Sequence, residues 1–250
     1  MNNDYIFLVT SYNCRPYIDA CITSLLLQTD KDFGVIFIDD ASTDGTVDRI
    51  KSISADISNN HIIHVNEERT GSAAWNQYQA VRKYVTNPNS KICILDGDDE
   101  LYDELSFSVI KEAENFTMRK YEAGVLGFQG KIPNAGRAQP LYRTEEPYHL
   151  RYFNAWLYKA VPESMYYKDG ELIQAASDIA FIYPVIELLD HNFSMSNFIV
   201  YKWNNHLNDH NDHFLRLDAQ RSNCKYIETR DKMTALTQEQ IQEIKDNWSS

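Results

Sequence analysis

Three clusters of polar and acidic residues are the best equipped for chemistry: Thr10-Ser11-Tyr12-Asn13, Asp39-Asp40-Ala41-Ser42-Thr43-Asp44 and Asp96-Gly97-Asp98-Asp99. Carboxylates crowded together repel unless a cation joins them. A divalent metal is the simplest such partner. Mg2+ and Mn2+ take oxygen ligands, and Mg2+ is commonly held by one or two carboxylates plus substrate phosphates. The clusters therefore point to a diphosphate ligand, although the chain carries neither a GxGxxG fingerprint nor a Walker lysine loop. An EF-hand reading of the loop from Asp96 fails, because Leu101 stands where glycine is needed and Phe107 where glutamate is needed. Later in the chain, His206, His210 and His213 lie among Asp209 and Asp212. They form either a loop that completes a metal shell, with His210 the best placed, or a solvated polar segment.

The elements that must position these clusters alternate strand and helix. Tyr5 to Thr10 is a short, nearly continuous apolar run, as in a buried parallel strand. Ile18, Cys21, Ile22, Leu25 and Leu26 follow on one helical face, with Pro16 placed for a first turn. Further strands are expected at Phe33–Ile38, Ile62–Val65 and Lys91–Leu95, with helices at Thr46–Ile53 and Gly71–Tyr84. Such alternation predicts an α/β fold with a mostly parallel central sheet and helices on both faces. In open sheets of this kind ligands bind beyond the C-terminal strand ends, where all three clusters fall. The second half is less regular. A strand is expected at Gly124–Phe128, a helix at His149–Lys159, a helix at Ser177–Leu189 that Pro184 kinks or delays, and a strand at Phe198–Trp203. Thr237-Gln238-Glu239-Gln240 has capping-box spacing before a last amphipathic helix. Tyr152, Phe153 and Trp156 read mainly as core, while Trp156 and Trp203 are also placed to stack on a sugar.

Composition narrows the function classes. The chain has 250 residues, is 43% hydrophobic and carries a formal net charge of -12, which suits a globular enzyme and disfavours binding to nucleic acid or an anionic membrane. No apolar run approaches the ~18 to 20 residues of a membrane helix, and MNNDYIFLVTSYN lacks the basic start and apolar length of a signal peptide. Cys14, Cys21, Cys93 and Cys224 show no CxxC spacing, so free thiols in a reducing, cytoplasmic compartment are expected.

The stretches FLVTSYN (7–13), SLLLQT (24–29), FIDDASTDGT (37–46), RTGSAAWN (69–76) and ILDGDDEL (94–101) together resemble, in order and spacing, the inverting glycosyltransferases of family 2, which have the GT-A fold. The resemblance implies that residues 1–105 form a nucleotide-sugar-binding half, 106–215 an acceptor half of the same domain, and 216–250 a helical extension. It implies that Thr10 and Tyr12 line the base pocket with Asn13 beside them, Asp40 accepts from the base ring N–H, and Arg69 reaches base or phosphate. Asp96 and Gly97 would contact the donor, and Asp98, with Asp96, would hold Mn2+ or Mg2+. Family members often carry Ala-Arg-Asn in the third helix, whereas this chain has Ala74-Trp75-Asn76. Ala176-Ser177-Asp178 matches the family's acidic residue at a helix start, which makes Asp178 the expected general base; a helix-capping carboxylate is the structural alternative. The implied reaction moves a sugar from a UDP-sugar to a hydroxyl of a saccharide or glycoconjugate, without a covalent intermediate. A nucleotidyltransferase and a non-catalytic nucleotide-sugar-binding module are the rival readings.

Overall fold

In the computed structural model, residues 1–57, 60–117, 125–128, 150–190, 194–196, 198–204 and 217–248 are described. The strand β1 (Tyr5–Ser11) shows why the sheet is buried on both faces. Ile6 and Leu8 point into one core, and Phe7 and Val9 into the other. The same alternation repeats in β2 (Gly34–Asp39), with Ile36 and Ile38 against Val35 and Phe37, and in β4 (Lys91–Asp96), with Ile92 and Ile94 against Cys93 and Leu95. Side chains in a strand alternate faces, so a continuous apolar run serves two cores at once. Each such side chain, fully buried, stabilises the fold by roughly 1.5–3 kcal/mol before entropy is counted.

The sheet has the order β10-β6-β7-β4-β1-β2-β3, where β3 is His61–Val65, β6 is Val125–Phe128, β7 is Arg151–Asn154 and β10 is Ser194–Ser196. Pairing is parallel except that β7 runs antiparallel to β4 and β6. Strand β1 stands between β2 and β4, so the chain winds outward to one side and then returns to the other. The crevice at that reversal is where an open sheet receives ligands.

Helices cover both faces. On one side α1 (Ile18–Leu26) contributes Cys21, Ile22 and Leu25, α2 (Thr46–Ser54) contributes Ile50, and α4 (Ser106–Thr117) contributes Phe107 and Ile110. On the other side lie α3 (Ala73–Tyr84), α5 (Leu157–Ala160) and α6 (Ser177–Leu188). Two terminal helices, α7 (Leu217–Thr229) and α8 (Gln238–Asp246), pack Ile227, Ile241 and Ile244 on this second core. The expected capping box is formed: Thr237 accepts from the Gln240 N–H and the Gln240 side chain accepts from the Thr237 N–H. Helix α6 runs through Pro184 without a break. Its residues Ala180 to Leu188 are all buried, and that packing outweighs the local cost of proline.

Two expectations need correction. The helix expected over His149–Lys159 is replaced, from residue 150 on, by a strand at Arg151–Asn154 and a short helix at Leu157–Ala160. Tyr152 enters one core and Phe153 the other, a period of two that the spacing of Tyr152, Phe153 and Trp156 conceals. Trp156 is buried in the core, which leaves its ring no open face to stack on a sugar. Of Phe198–Trp203 only Tyr201–Lys202 (β11) is strand, paired antiparallel with β5 (Glu100–Leu101). None of the four cysteines forms a disulfide, and Cys14, Cys21 and Cys93 are buried.

Candidate active site

The end of β1 is the hub. Thr10 pairs in register with Asp96, and Ser11 with Asp39. The Asp40 N–H donates to the Ser11 carbonyl at 2.9 Å, and the Gly97 N–H donates to the Thr10 carbonyl at 2.8 Å. The two acidic clusters therefore flank one strand end. Gly97 is required by this closeness: a Cβ there would stand 2.9 Å from the Thr10 carbonyl oxygen and 3.0 Å from Ser11 Cβ. Thr10 Oγ1 also donates to Asp96 Oδ1 at 3.3 Å.

Around the hub, the loops are cross-tied by their own side chains. Fully buried Asp39 accepts from the Ser11 hydroxyl (2.8 Å), the Ser42 N–H (2.7 Å) and the Ser42 hydroxyl (2.6 Å). Asn13 sits in the left-handed region at φ 51. Its N–H donates to Ser42 Oγ and its side-chain oxygen accepts the Thr43 N–H. The structure thus uses Asn13 to join the first two clusters.

Asp40 is 6% exposed and accepts from Asn66 Nδ2 and the Thr70 N–H on one oxygen and from the Gly71 N–H on the other, at 2.8, 2.9 and 2.8 Å. Burial works to raise its pKa, but these donors outweigh it and hold the carboxyl below its ordinary value. Gly71 has φ +73, and a Cβ there would meet Gln174 at 2.9 Å. The same segment carries Arg69, whose guanidinium lies 3.6 Å from the centre of the Tyr12 ring, so Arg69 and Tyr12 form one cation–aromatic pair.

Beyond the hub, Asp96 and Asp178 line a single cavity of about 190 Å3 together with Arg151, Gln77, Ala74 and Phe181. Asp178 is in the first turn of α6, after Ala176 at φ 61, and its side chain is 47% exposed. Arg151 Nη1 and Nη2 donate to Asp178 Oδ2 at 3.3 and 3.4 Å from a side chain only 7% exposed. Burial pushes Asp96 above the ordinary carboxylate range; the charges of Asp98 and Asp178 add to this and Arg151 opposes it. Asp99, next in the cluster, is buried. Burial and then the Asp98 and Asp96 charges push it up as well. Asp99 accepts from the Tyr201 hydroxyl and, at 2.7 Å, from the Asn204 N–H, so it pins the segment after β11 beneath the third cluster.

The expected donor-side residues thus converge in part. Thr10, Asn13, Asp40, Asp96 and Gly97 meet around the end of β1, and Arg69 joins Tyr12. Asp98 acts on Asp96 through its charge. His210 lies outside the described residues, as do His206 and His213. Trp75, which stands where the family often has arginine, stacks on Tyr78 away from the cavity, with ring centroids 5.1 Å apart. The sequence alone gives Arg151 no role in the cavity; it reaches that place because β7 pairs with β4 and sets it opposite Ile94.

Among the described residues no ready-made group of three His, Cys, Asp or Glu ligands is present. Asp96 and Asp98, with Gly97 between them and each adding its charge to its neighbours, nevertheless suit a cation that draws its remaining ligands from phosphate and water.

The profile of Glycosyl transferase family 2 matches residues 6–163. Over 95 residues the chain is 30% identical to a Bacillus subtilis (strain 168) protein named "Putative teichuronic acid biosynthesis glycosyltransferase TuaG"; the match covers 37% of this chain and 35% of that one. The chain thus spans about a third of that relative's length. Among solved structures, S. aureus TarS 1-349 in complex with UDP-GlcNAc superposes with a TM-score of 0.61 at 18% identity, covering 98% of this chain and 71% of that one. Mannosyltransferase PcManGT from Pyrobaculum calidifontis, in complex with GDP-Man and Mn2+, gives 0.62 at 17% identity, covering 93% and 66%. These likenesses are likenesses of fold, and the fold is GT-A. With more than half of its length matched by the family profile, the chain belongs to glycosyl transferase family 2.

Proposed function

We propose that the protein is an inverting, metal-dependent glycosyltransferase that moves a sugar from a UDP-sugar to a hydroxyl of a saccharide or glycoconjugate. One observation carries the reading: Asp96, from the donor-side cluster, and Asp178, from the first turn of α6, line the same cavity. A transferase of this kind needs a group that manages the leaving diphosphate and a base for the attacking hydroxyl on opposite sides of one bound sugar, so that both face the same cavity.

Tyr12 and Arg69 present a flat face and a cation suited to a nucleobase and its phosphates. Asp40, already anchored to Asn66, Thr70 and Gly71, sets that wall, and Thr10 orients Asp96. Asp98 and Asp96 would hold Mn2+ or Mg2+, which when bound offsets the charge that develops on the departing diphosphate. Asp178 takes the acceptor hydroxyl's proton, and Arg151 fixes its carboxylate while the hydroxyl oxygen attacks from the face opposite the nucleotide. No protein nucleophile is required, and the anomeric configuration inverts. Four free thiols suit a reducing, cytoplasmic setting, and none of the described helices is long and apolar enough to cross a membrane.

The test is a donor screen: nucleotide release from UDP-, GDP- and dTDP-sugars with Mn2+ present, followed by NMR of the product's anomeric proton. UDP release and an inverted anomer are expected. A retained anomer, or no release from any donor, overturns the reading. Pyrophosphate release from a nucleoside triphosphate supports a nucleotidyltransferase instead.

A further inference from the structure

The catalytic cavity, at about 190 Å3, is smaller than the roughly 300–1,000 Å3 of ordinary small-molecule sites. It has room for reacting groups, and the rest of any acceptor must lie elsewhere. A second cavity of about 560 Å3 opens one residue away: Ala175 lines the second, and Ala176, Ser177 and Asp178 line the first. One of its walls is the hairpin of β8 (Tyr167–Lys168) and β9 (Glu171–Leu172). Asp169 and Gly170 turn this hairpin at φ 53 and 83, the positive pair that a tight two-residue turn requires. Helix α7 forms the other wall through Ala219 and Asn223.

The two walls are tied together. Lys168 Nζ donates to Ser222 Oγ at 3.0 Å, and Asn223 Nδ2 donates to the Ala175 carbonyl at 3.0 Å. Gln174 Nε2 donates to the Thr70 carbonyl at 3.1 Å, which joins this wall to the segment that holds Asp40. The lining mixes donors (Lys168, Gln174, Asn223) and acceptors (Asp169, Glu171) over an apolar strip of Leu172, Ile173 and Ala175. Hydroxyl groups need donors and acceptors together, and sugar rings carry apolar faces that such a strip can pack. Two acids against one lysine disfavour a phosphate-rich chain.

We propose that this groove binds the non-reacting sugar residues of an uncharged oligosaccharide acceptor whose terminal hydroxyl reaches Asp178. The proposal rests on the transferase reading above for its direction, but the groove's occupancy can be measured without turnover. Saturation-transfer NMR and calorimetry with UDP and Mn2+ present would use methyl glycosides of glucose, galactose, mannose and N-acetylglucosamine. Their linked di- and trisaccharides and a glycerol-phosphate trimer complete the set. At least one trisaccharide series should bind tenfold or more tightly than its monosaccharide. Ala219→Trp, a substitution at an exposed helix position that fills the groove, should abolish that gain while leaving UDP affinity unchanged. Glu171→Ala, on the opposite wall, should weaken the trisaccharide several-fold and not the monosaccharide. Equal trisaccharide affinity in wild type and Ala219→Trp, absence of saccharide binding throughout, or preference for the glycerol-phosphate trimer overturns the proposal. Saccharide binding without nucleotide release from any donor would instead overturn the transferase reading and leave the groove's assignment standing.

Discussion

The loops around the end of β1 and the start of α6, on either side of Asp96, are built differently. Around the end of β1, Asp39, Asp40, Asn13 and Asp44 each anchor a loop through short hydrogen bonds to neighbouring backbone N–H groups. On the other side, Asp178 stands 47% exposed in the first turn of α6 and is held by Arg151 at 3.3 and 3.4 Å. A cross-tied wall suits a ligand part that never varies, such as a nucleotide diphosphate. An exposed carboxylate on a helix end beside an open groove suits the proposed role of a base for an acceptor that approaches from solvent. On the proposed function, preorganisation is concentrated where charge is managed at departure.

The sharpest way to break this contrast is at the donor wall. Asp98→Asn should lower nucleotide release by about 10²–10³, the size expected when a charge-stabilising partner is removed, and should abolish the Mn2+-dependent part of UDP binding in calorimetry. Equal UDP affinity with and without Mn2+ in the wild type would remove the metal from the account. Gly97→Ala tests the close approach directly. The added Cβ crowds Thr10 and Ser11, and urea unfolding should show a loss of about 1–3 kcal/mol.

Asp40→Asn should cost about 1–3 kcal/mol, because one buried N–H loses its acceptor. It also has a pH signature. The folded pKa of Asp40 is depressed, so its contribution is complete above the unfolded value near ~3.9 and is lost as pH falls through the lower folded value. The wild type's stability advantage over Asp40→Asn should therefore be constant from pH 5 to 7 and shrink toward pH 3. An advantage that grew on acidification would contradict the assigned hydrogen bonds. The smallest effect lies far from the cavity: Thr237→Ala removes half of the α8 capping box and should cost about 1 kcal/mol, with nucleotide release unchanged.

The first hundred residues were legible because β1, β2 and β4 bury both faces. Their apolar runs admit one reading, and the polar residues that end them must lie at the sheet's rim. The residues beyond them resisted for two reasons. Tyr152, Phe153 and Trp156 satisfy a helical spacing and a strand alternation alike, and only the pairing of β7 with β4 and β6 decides between them. Arg151 gains its place from that same pairing, a contact between residues far apart in sequence that no local pattern encodes. The β8–β9 hairpin, by contrast, had its signal in Asp169-Gly170, a dipeptide favoured in tight hairpin turns. Asp99 was visible as an acid of the third cluster. Its burial beneath Tyr201 and Asn204 depends on the return of β11 to β5.

The most direct measurement of the central claim is Asp178→Asn, followed by calorimetry with the preferred UDP-sugar and Mn2+ and by rates of sugar transfer. Donor affinity within about twofold of wild type, with transfer reduced by about 10²–10⁴, is the result expected when a base acts on the acceptor across a cavity shared with the donor. Transfer at the wild-type rate, or loss of donor binding in step with transfer, would contradict the division of labour between the two walls.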